Sequence, residues 1–310
     1  MPTLIDYRRR IRSVKNTQQI TRAMKFIAAA RLRKAQEGVF AARPYARGII
    51  RVLRSAVARI ENPTHPLLER RPEERLLGLV LTGDRGLCGP FNANVLRHAI
   101  TFFRQHTQQK IKVIAIGKKG GDALRKRGFE FAGEYLNVSS SVEFRHAKEI
   151  AARVIELYTG GEVDAVYAIY NEFKSVMVQR LRDEKLLPID PEILAPAPGE
   201  RTARVSLAHG ESLPLTPAGF GTELMVDYIY EQPAEEIFRG LVPRYLDAEI
   251  FRILLESSAA EHGARMTAME GATNNAADLI EDLTLQMNKI RQAGITKELI
   301  EIVSGAASAA

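Results

Sequence analysis

The sequence predicts an α/β fold in which an α/β domain is inserted between two long terminal helices that pair as an antiparallel coiled coil. Three observations carry this expectation. The last fifty residues lack proline and repeat apolar side chains at helical steps, the first sixty carry a heptad seam, and the middle alternates short Val/Ile-rich runs with helical stretches. The division this suggests is an N-terminal helix over 1–61, an α/β domain over 62–232 and a C-terminal helix over 233–310.

In the C-terminal stretch, Ala272, Ala276, Leu279, Leu283, Met287 and Ile290 recur at three- and four-residue steps. Its first half offers Ala, Ser, Met and Gly where a globular core would use Leu, Ile and Phe. Small side chains let another backbone come close. Extended back to Pro233, this helix covers about 70 residues, on the order of 100 Å at the helical rise. No compact domain contains such a rod, so it must project and find a partner along its length.

The N-terminal helix supplies one. Leu4, Tyr7, Ile11, Val14, Gln18, Thr21, Lys25, Ala28, Leu32, Ala35, Val39 and Ala42 fall on an alternating three-four step, a 3.5-residue period that implies supercoiling with a second helix. Pro44 is expected to kink this helix or remove a hydrogen bond near Phe40. Asn62-Pro63-Thr64-His65-Pro66, followed by Pro72, cannot continue it.

Beyond that boundary, 75–82, 112–116 and 164–170 read as strands, and 93–105, 121–126 and 142–158 as helices, the alternation of a parallel, open sheet. Residues 173–187 alternate more strictly, as an antiparallel or edge strand would. Six prolines between Pro188 and Pro217 mark a surface loop. Residues 223–231 alternate again before Pro233.

Composition narrows the function. A single cysteine, Cys88, excludes an intrachain disulfide and a thiolate metal cluster, and six histidines lack the i, i+4 pairing of a helical zinc site; no metal and no cofactor are expected. Apolar windows never reach the length of a membrane span. Helix-forming residues begin by Leu4, leaving no room for a leader, so a cytosolic bacterial setting is expected. Residues 1–60 hold fifteen Lys/Arg against Asp6 and Glu37, while 234–310 hold seven basic against twelve acidic residues. That asymmetry suggests pairing of the two ends or an external polyanion.

Thr82-Gly83-Asp84-Arg85-Gly86-Leu87-Cys88-Gly89-Pro90-Phe91-Asn92 lies between a strand and a helix, where α/β proteins hold phosphates, but lacks the GxxxxGK[ST] spacing. A tight turn or a protein contact is the reading preferred, with Cys88 a buried thiol. The basic residues of the first helix point to several sides without interleaved aromatics, which favours solvated or partner-facing charge over a basic nucleic-acid-binding helix, the alternative kept open. A nucleotide-dependent enzyme built on the middle domain is a second alternative.

Three stretches, 11–36 (IRSVKNTQQITRAMKFIAAARLRKAQ), 82–92 (TGDRGLCGPFN) and 257–303 ending NKIRQAGITKELIEIV, closely resemble the gamma-subunit family of F-type ATP synthases, with Phe26, Met287 and Gly294 as mild departures. The resemblance implies an antiparallel coil standing inside an α3β3 hexamer, a Rossmann-like α/β domain beside its foot, and rotation that couples proton or sodium flow to ATP synthesis in the catalytic β subunits. It implies a non-catalytic subunit, peripheral at the cytoplasmic face of the bacterial plasma membrane, with no membrane span and no nucleic acid. By the same resemblance Arg291, Gln292 and Thr296 contact β-subunit loops near the upper rod, and Met24 and Lys25 lie where an acidic β lever reaches it. Tyr228, Tyr230 and Glu231 match the region that meets the membrane c-ring and the epsilon subunit.

Overall fold

A computed structural model describes residues 3–61, 63–175, 178–194 and 230–309. Its elements in order are α1 (Leu4–Val57), a 3-10 turn (Pro66–Leu68), β1 (Arg75–Leu81), α2 (Phe91–Gln105), β2 (Lys110–Ile116), α3 (Lys118–Arg125), β3 (Glu130–Tyr135), α4 (Phe144–Thr159), β4 (Ala165–Phe173), β5 (Gln179–Leu187), α5 (Pro191–Leu194) and α6 (Ala234–Ala309). Residues 223–229 of the alternating stretch and the loop beyond Leu194 lie outside the described residues.

Helix α1 starts at a reciprocal cap: the Asp6 amide donates to Thr3 Oγ1 at 3.3 Å, and the Thr3 amide donates to Asp6 Oδ2 at 2.9 Å. It then runs 54 residues without interruption. Pro44 stays inside the continuous helix and, as expected, leaves a hydrogen bond unmade near Phe40. Phe40 and Pro44 both face solvent, so water can satisfy the carbonyl that the missing proline N–H leaves free. Every member of the sequence-read seam from Leu4 to Ala42 is buried or half-buried, with Ala28 and Leu32 at its tightest part.

Helix α6 spans 76 residues, about 110 Å at 1.5 Å per residue. Thr21 meets Thr273 through hydroxyls 2.8 Å apart, Lys25 pairs with Glu270 at 2.6 Å, and Gly38 faces Leu255. One number rises as the other falls, so the helices are antiparallel. The α6 seam is Met269, Thr273, Ala276, Ile280, Leu283, Met287 and Ile290, each buried or half-buried. Leu279, expected on it, is instead 47% exposed. The alternating four-three step from Met269 selects Ile280, one position later.

The sheet order is β3-β2-β1-β4-β5, parallel except for β5, which pairs antiparallel to β4 at the edge. β1 separates two cores by its period of two. Leu77, Leu79 and Leu81 face a core shared with α4 and the feet of both long helices, through Ile49, Leu53, Phe238, Leu246 and Ile250. Val80 faces the other core, with Phe102 and Phe103 of α2. At its base Asp164 accepts from Arg75 Nη2 at 2.7 Å and from the Arg75 amide at 2.9 Å, and these bonds hold its carboxyl below the usual range.

The domain lies alongside the lower part of the rod. Ser258 Oγ donates to the Ser139 carbonyl, Gln179 Nε2 donates to the Ala260 carbonyl, and Gly89 reaches Ala268. From Ala234 to Ala268 is about 50 Å of helix. This explains the small residues of 257–263, all buried: they face α1 on one side and the sheet domain on another.

Candidate rotor surface and the loop at the sheet edge

The loop after β1 occupies the crevice where an open parallel sheet would take a ligand. The Gly83 amide donates to Asn92 Oδ1 at 2.8 Å, and the Gly120 amide to Thr82 Oγ1 at 2.8 Å. Gly117 sits at φ 94°, and a Cβ there would fall 2.0 Å from the Thr82 carbonyl oxygen, so only glycine fits. The crevice is filled by the long helix. Glu261 lies so close to Gly83 that a Cβ at that glycine would approach its carboxylate to 2.7 Å. Arg265 bonds Glu261 at 2.7 Å and reaches the Gly86 carbonyl at 3.4 Å.

This packing settles two expectations. The segment 82–92 is a turn that seats the domain on the rod, the protein contact preferred from the sequence. Cys88 is buried at 1% exposure, accepts from Asn92 Nδ2 at 3.2 Å, and has its thiol pushed up by burial, which keeps it protonated. His262, also buried, is pushed down to about 4 by desolvation and by the nearby Arg265 and Arg31 cations. It is therefore neutral, and its Nδ1 lies 3.3 Å from Arg265 Nη1.

The residues that the resemblance assigns to partner contacts occupy three levels of the rod. Met24 and Lys25 are half-buried in its middle, and Lys25 is tied to Glu270 at 2.6 Å, so its charge is partly satisfied within the chain. Arg291, Gln292 and Thr296 are exposed, with Thr296 Oγ1 donating to the Gln292 carbonyl of its own helix. At the foot Tyr230 is half-buried beneath the Arg59 guanidinium, 4.4 Å from ring centroid, and Glu231 is exposed. Tyr228 lies outside the described residues. The structure does not bring these groups together: Glu231 and Gln292 are separated by about three quarters of α6, about 90 Å.

A surface not singled out from the sequence appears at the top. Extending the antiparallel register puts Leu4 near Ile290, so α6 continues from Arg291 without α1 beside it, for about 28 Å. On this overhang Ile295, Leu299, Ile300, Ile302 and Val303 are 51–68% exposed. Ile20 and Ile27, one helical face of α1, are also more than half exposed. The signal was present in ITKELIEIV, whose apolar residues exceed what one seam can use. Among the described residues no helix is long and apolar enough to cross a membrane.

A family model described as ATP synthase matches residues 3–309. An ATP synthase gamma chain of Solibacter usitatus is 46% identical over the full length of both chains. Another from Chloroherpeton thalassium is 44% identical, covering 99% of this chain and 98% of that one. Among solved structures, a chain of the Euglena gracilis mitochondrial ATP synthase OSCP/F1/c-ring assembly has a TM-score of 0.62 at 20% identity, covering 98% of this chain and 94% of its own. A Tetrahymena thermophila mitochondrial central stalk/c-ring chain has a TM-score of 0.56 at 24% identity, covering 82% and 99%. At these identities the structures speak for the fold, and the full-length relatives for the family. A coil of the two chain ends, a sheet domain seated on it through 82–92, and relatives alike from end to end lead to one assignment: the chain belongs to the ATP synthase gamma-chain family.

Proposed function

We propose that this chain is the central rotor shaft of an F-type ATP synthase, turning within an α3β3 hexamer and coupling ion flow to ATP synthesis and hydrolysis in the β subunits. The observation that carries this reading is the antiparallel rod whose longer helix projects past its partner with an apolar, unpaired tip. A tip of that kind needs a surrounding sleeve. An asymmetric rod then favours a different conformation in each β subunit it faces, which is a population bias rather than bond chemistry. The shaft itself is non-catalytic.

In this reading the organisation is 1–61 and 233–310 for the shaft and 62–232 for the α/β domain. Met24, Lys25, Arg291, Gln292 and Thr296 face the β subunits, and Tyr228, Tyr230 and Glu231 at the foot face the c-ring and epsilon subunit. The chain then works peripherally at the cytoplasmic face of the bacterial plasma membrane. Two helices resist twisting better than one, and the buried seam from Leu4 to Ala42 supports that use.

The test is co-assembly with α and β subunits followed by the double substitution Arg291→Ala, Gln292→Ala. Coupled ATPase activity is expected to fall about fivefold, as the loss of contacts worth about 1 kcal/mol would produce. Full activity in an intact complex would contradict the assigned contacts.

A further inference from the structure

Beside its apolar packing and scattered polar contacts, the seat of the α/β domain on the shaft carries a charged cluster where the edge of the sheet crosses α6. Arg252, on α6, sits among three carboxylates and a phenol. Its Nη2 donates to Glu184 Oε1 of β5 at 2.7 Å. Its Nε and Nη2 both lie against Glu249 Oε2, at 2.9 and 2.8 Å. Its Nη1 donates to Glu256 Oε1 at 3.2 Å and to the Tyr170 hydroxyl of β4 at 3.3 Å. The phenol in turn donates to Glu184 Oε2 at 2.7 Å, and burial pushes it up so that it stays a donor. The guanidinium thus makes four hydrogen bonds, two to the sheet and two to its own helix, with Nη2 also in ion-pair contact with Glu249.

Resting on the shaft reading above, we propose that Arg252 is a positioning residue for torque transfer, a cross-tie that makes the β4–β5 edge and the shaft turn as one body. Apolar packing through Ile250, Ile253 and Leu254 resists separation but has no direction along the surface. A planar fork with fixed acceptors on both bodies resists sliding, which is the displacement that torque imposes. The excess of acid makes the tie depend on this one side chain. Glu249 and Glu256 are 12% and 14% exposed, so without the cation two carboxylates remain largely buried with no counter-charge in the cluster.

The experiment uses the whole complex reconstituted in lipid vesicles, recording ATP hydrolysis alongside the membrane potential it generates with a potential-sensitive dye. With Arg252→Met, the potential generated per ATP hydrolysed is expected to fall about fivefold while hydrolysis stays within about twofold. Amide exchange across 179–187 should accelerate about tenfold with 75–81 unchanged. Arg252→Lys keeps the charge but not the fork, and is expected to fall between the two. Should Arg252→Met fail to assemble, Glu184→Ala decides, since it removes only the sheet-side acceptor, and the same fall in ratio is expected. An unchanged ratio, or pumping and hydrolysis lost in equal proportion, overturns the cross-tie. If the unaltered chain does not join α3β3 at all, the shaft reading fails instead.

Discussion

At the scale of single residues, the informative group beneath the 82–92 loop is the buried pair Glu261 and His262 with the half-buried Arg265. His262 illustrates why. Its folded value near 4 lies below the ordinary 6.5, so the unfolded chain binds the extra proton. The stability from keeping it neutral is complete above pH 6.5 and is lost as pH falls toward 4, an amount of about 3 kcal/mol. Asp247 and Glu256 act with opposite sign, because burial raises both carboxyls. The variant isolates the histidine: His262→Gln is expected to flatten the fall in unfolding midpoint between pH 6.5 and 4, and an unchanged profile would refute the buried neutral ring. Gly83→Ala forces a methyl against the Glu261 carboxylate and should cost about 2 kcal/mol, read as a thermal midpoint several degrees lower. Sequence alone suggested that 82–92 was a turn or contact, and that Cys88 was buried. It could not reveal Glu261 as buried or Arg252 as half-buried, because a charged residue on a helix looks the same whether its neighbour is water or another domain.

At the scale of elements, the coil was the most legible feature. A seam is written in one helix at a time, so twelve α1 positions from Leu4 to Ala42 could be read directly, and all of them are covered. On α6 the same approach placed Leu279 where Ile280 belongs, since two adjacent apolar residues compete and only the partner's register decides. β3 was missed: EFAGEY has two charges and a glycine, and as an edge strand it keeps little of the apolar run that marks β1 and β4. The edge position of β5 was anticipated from its alternation, and its antiparallel pairing follows. Leu32 is 5% exposed at the centre of the seam. Leu32→Ala should cost about 2–4 kcal/mol and loosen the coil, seen as faster amide exchange on both helices around Leu32. Exchange unchanged on α6 would show that the two helices are not packed there.

For the whole molecule, the two ends of the chain form one rod, and the domain between them is mounted on its side. The resemblance placed the domain beside the coil's foot, but connectivity shows only where a chain leaves a helix, not how far the inserted domain leans along it. The exposed Ile295, Leu299, Ile300, Ile302 and Val303 make sense only if something encloses the tip. Replacing Ile302 and Val303 together by Ser is expected to slow rotation in the complex without unfolding the isolated chain, a difference that paired rotation and circular dichroism measurements would expose. The most direct test ties the helices together. Thr21→Cys with Thr273→Cys, at positions whose hydroxyls lie 2.8 Å apart, should oxidise to a disulfide within one chain. Single-molecule observation of the α3β3 complex should then find the tied shaft rotating at close to the unmodified rate. Failure of the bond to form within one chain, or a formed bond that stops rotation, would contradict a shaft in which these two helices move as one.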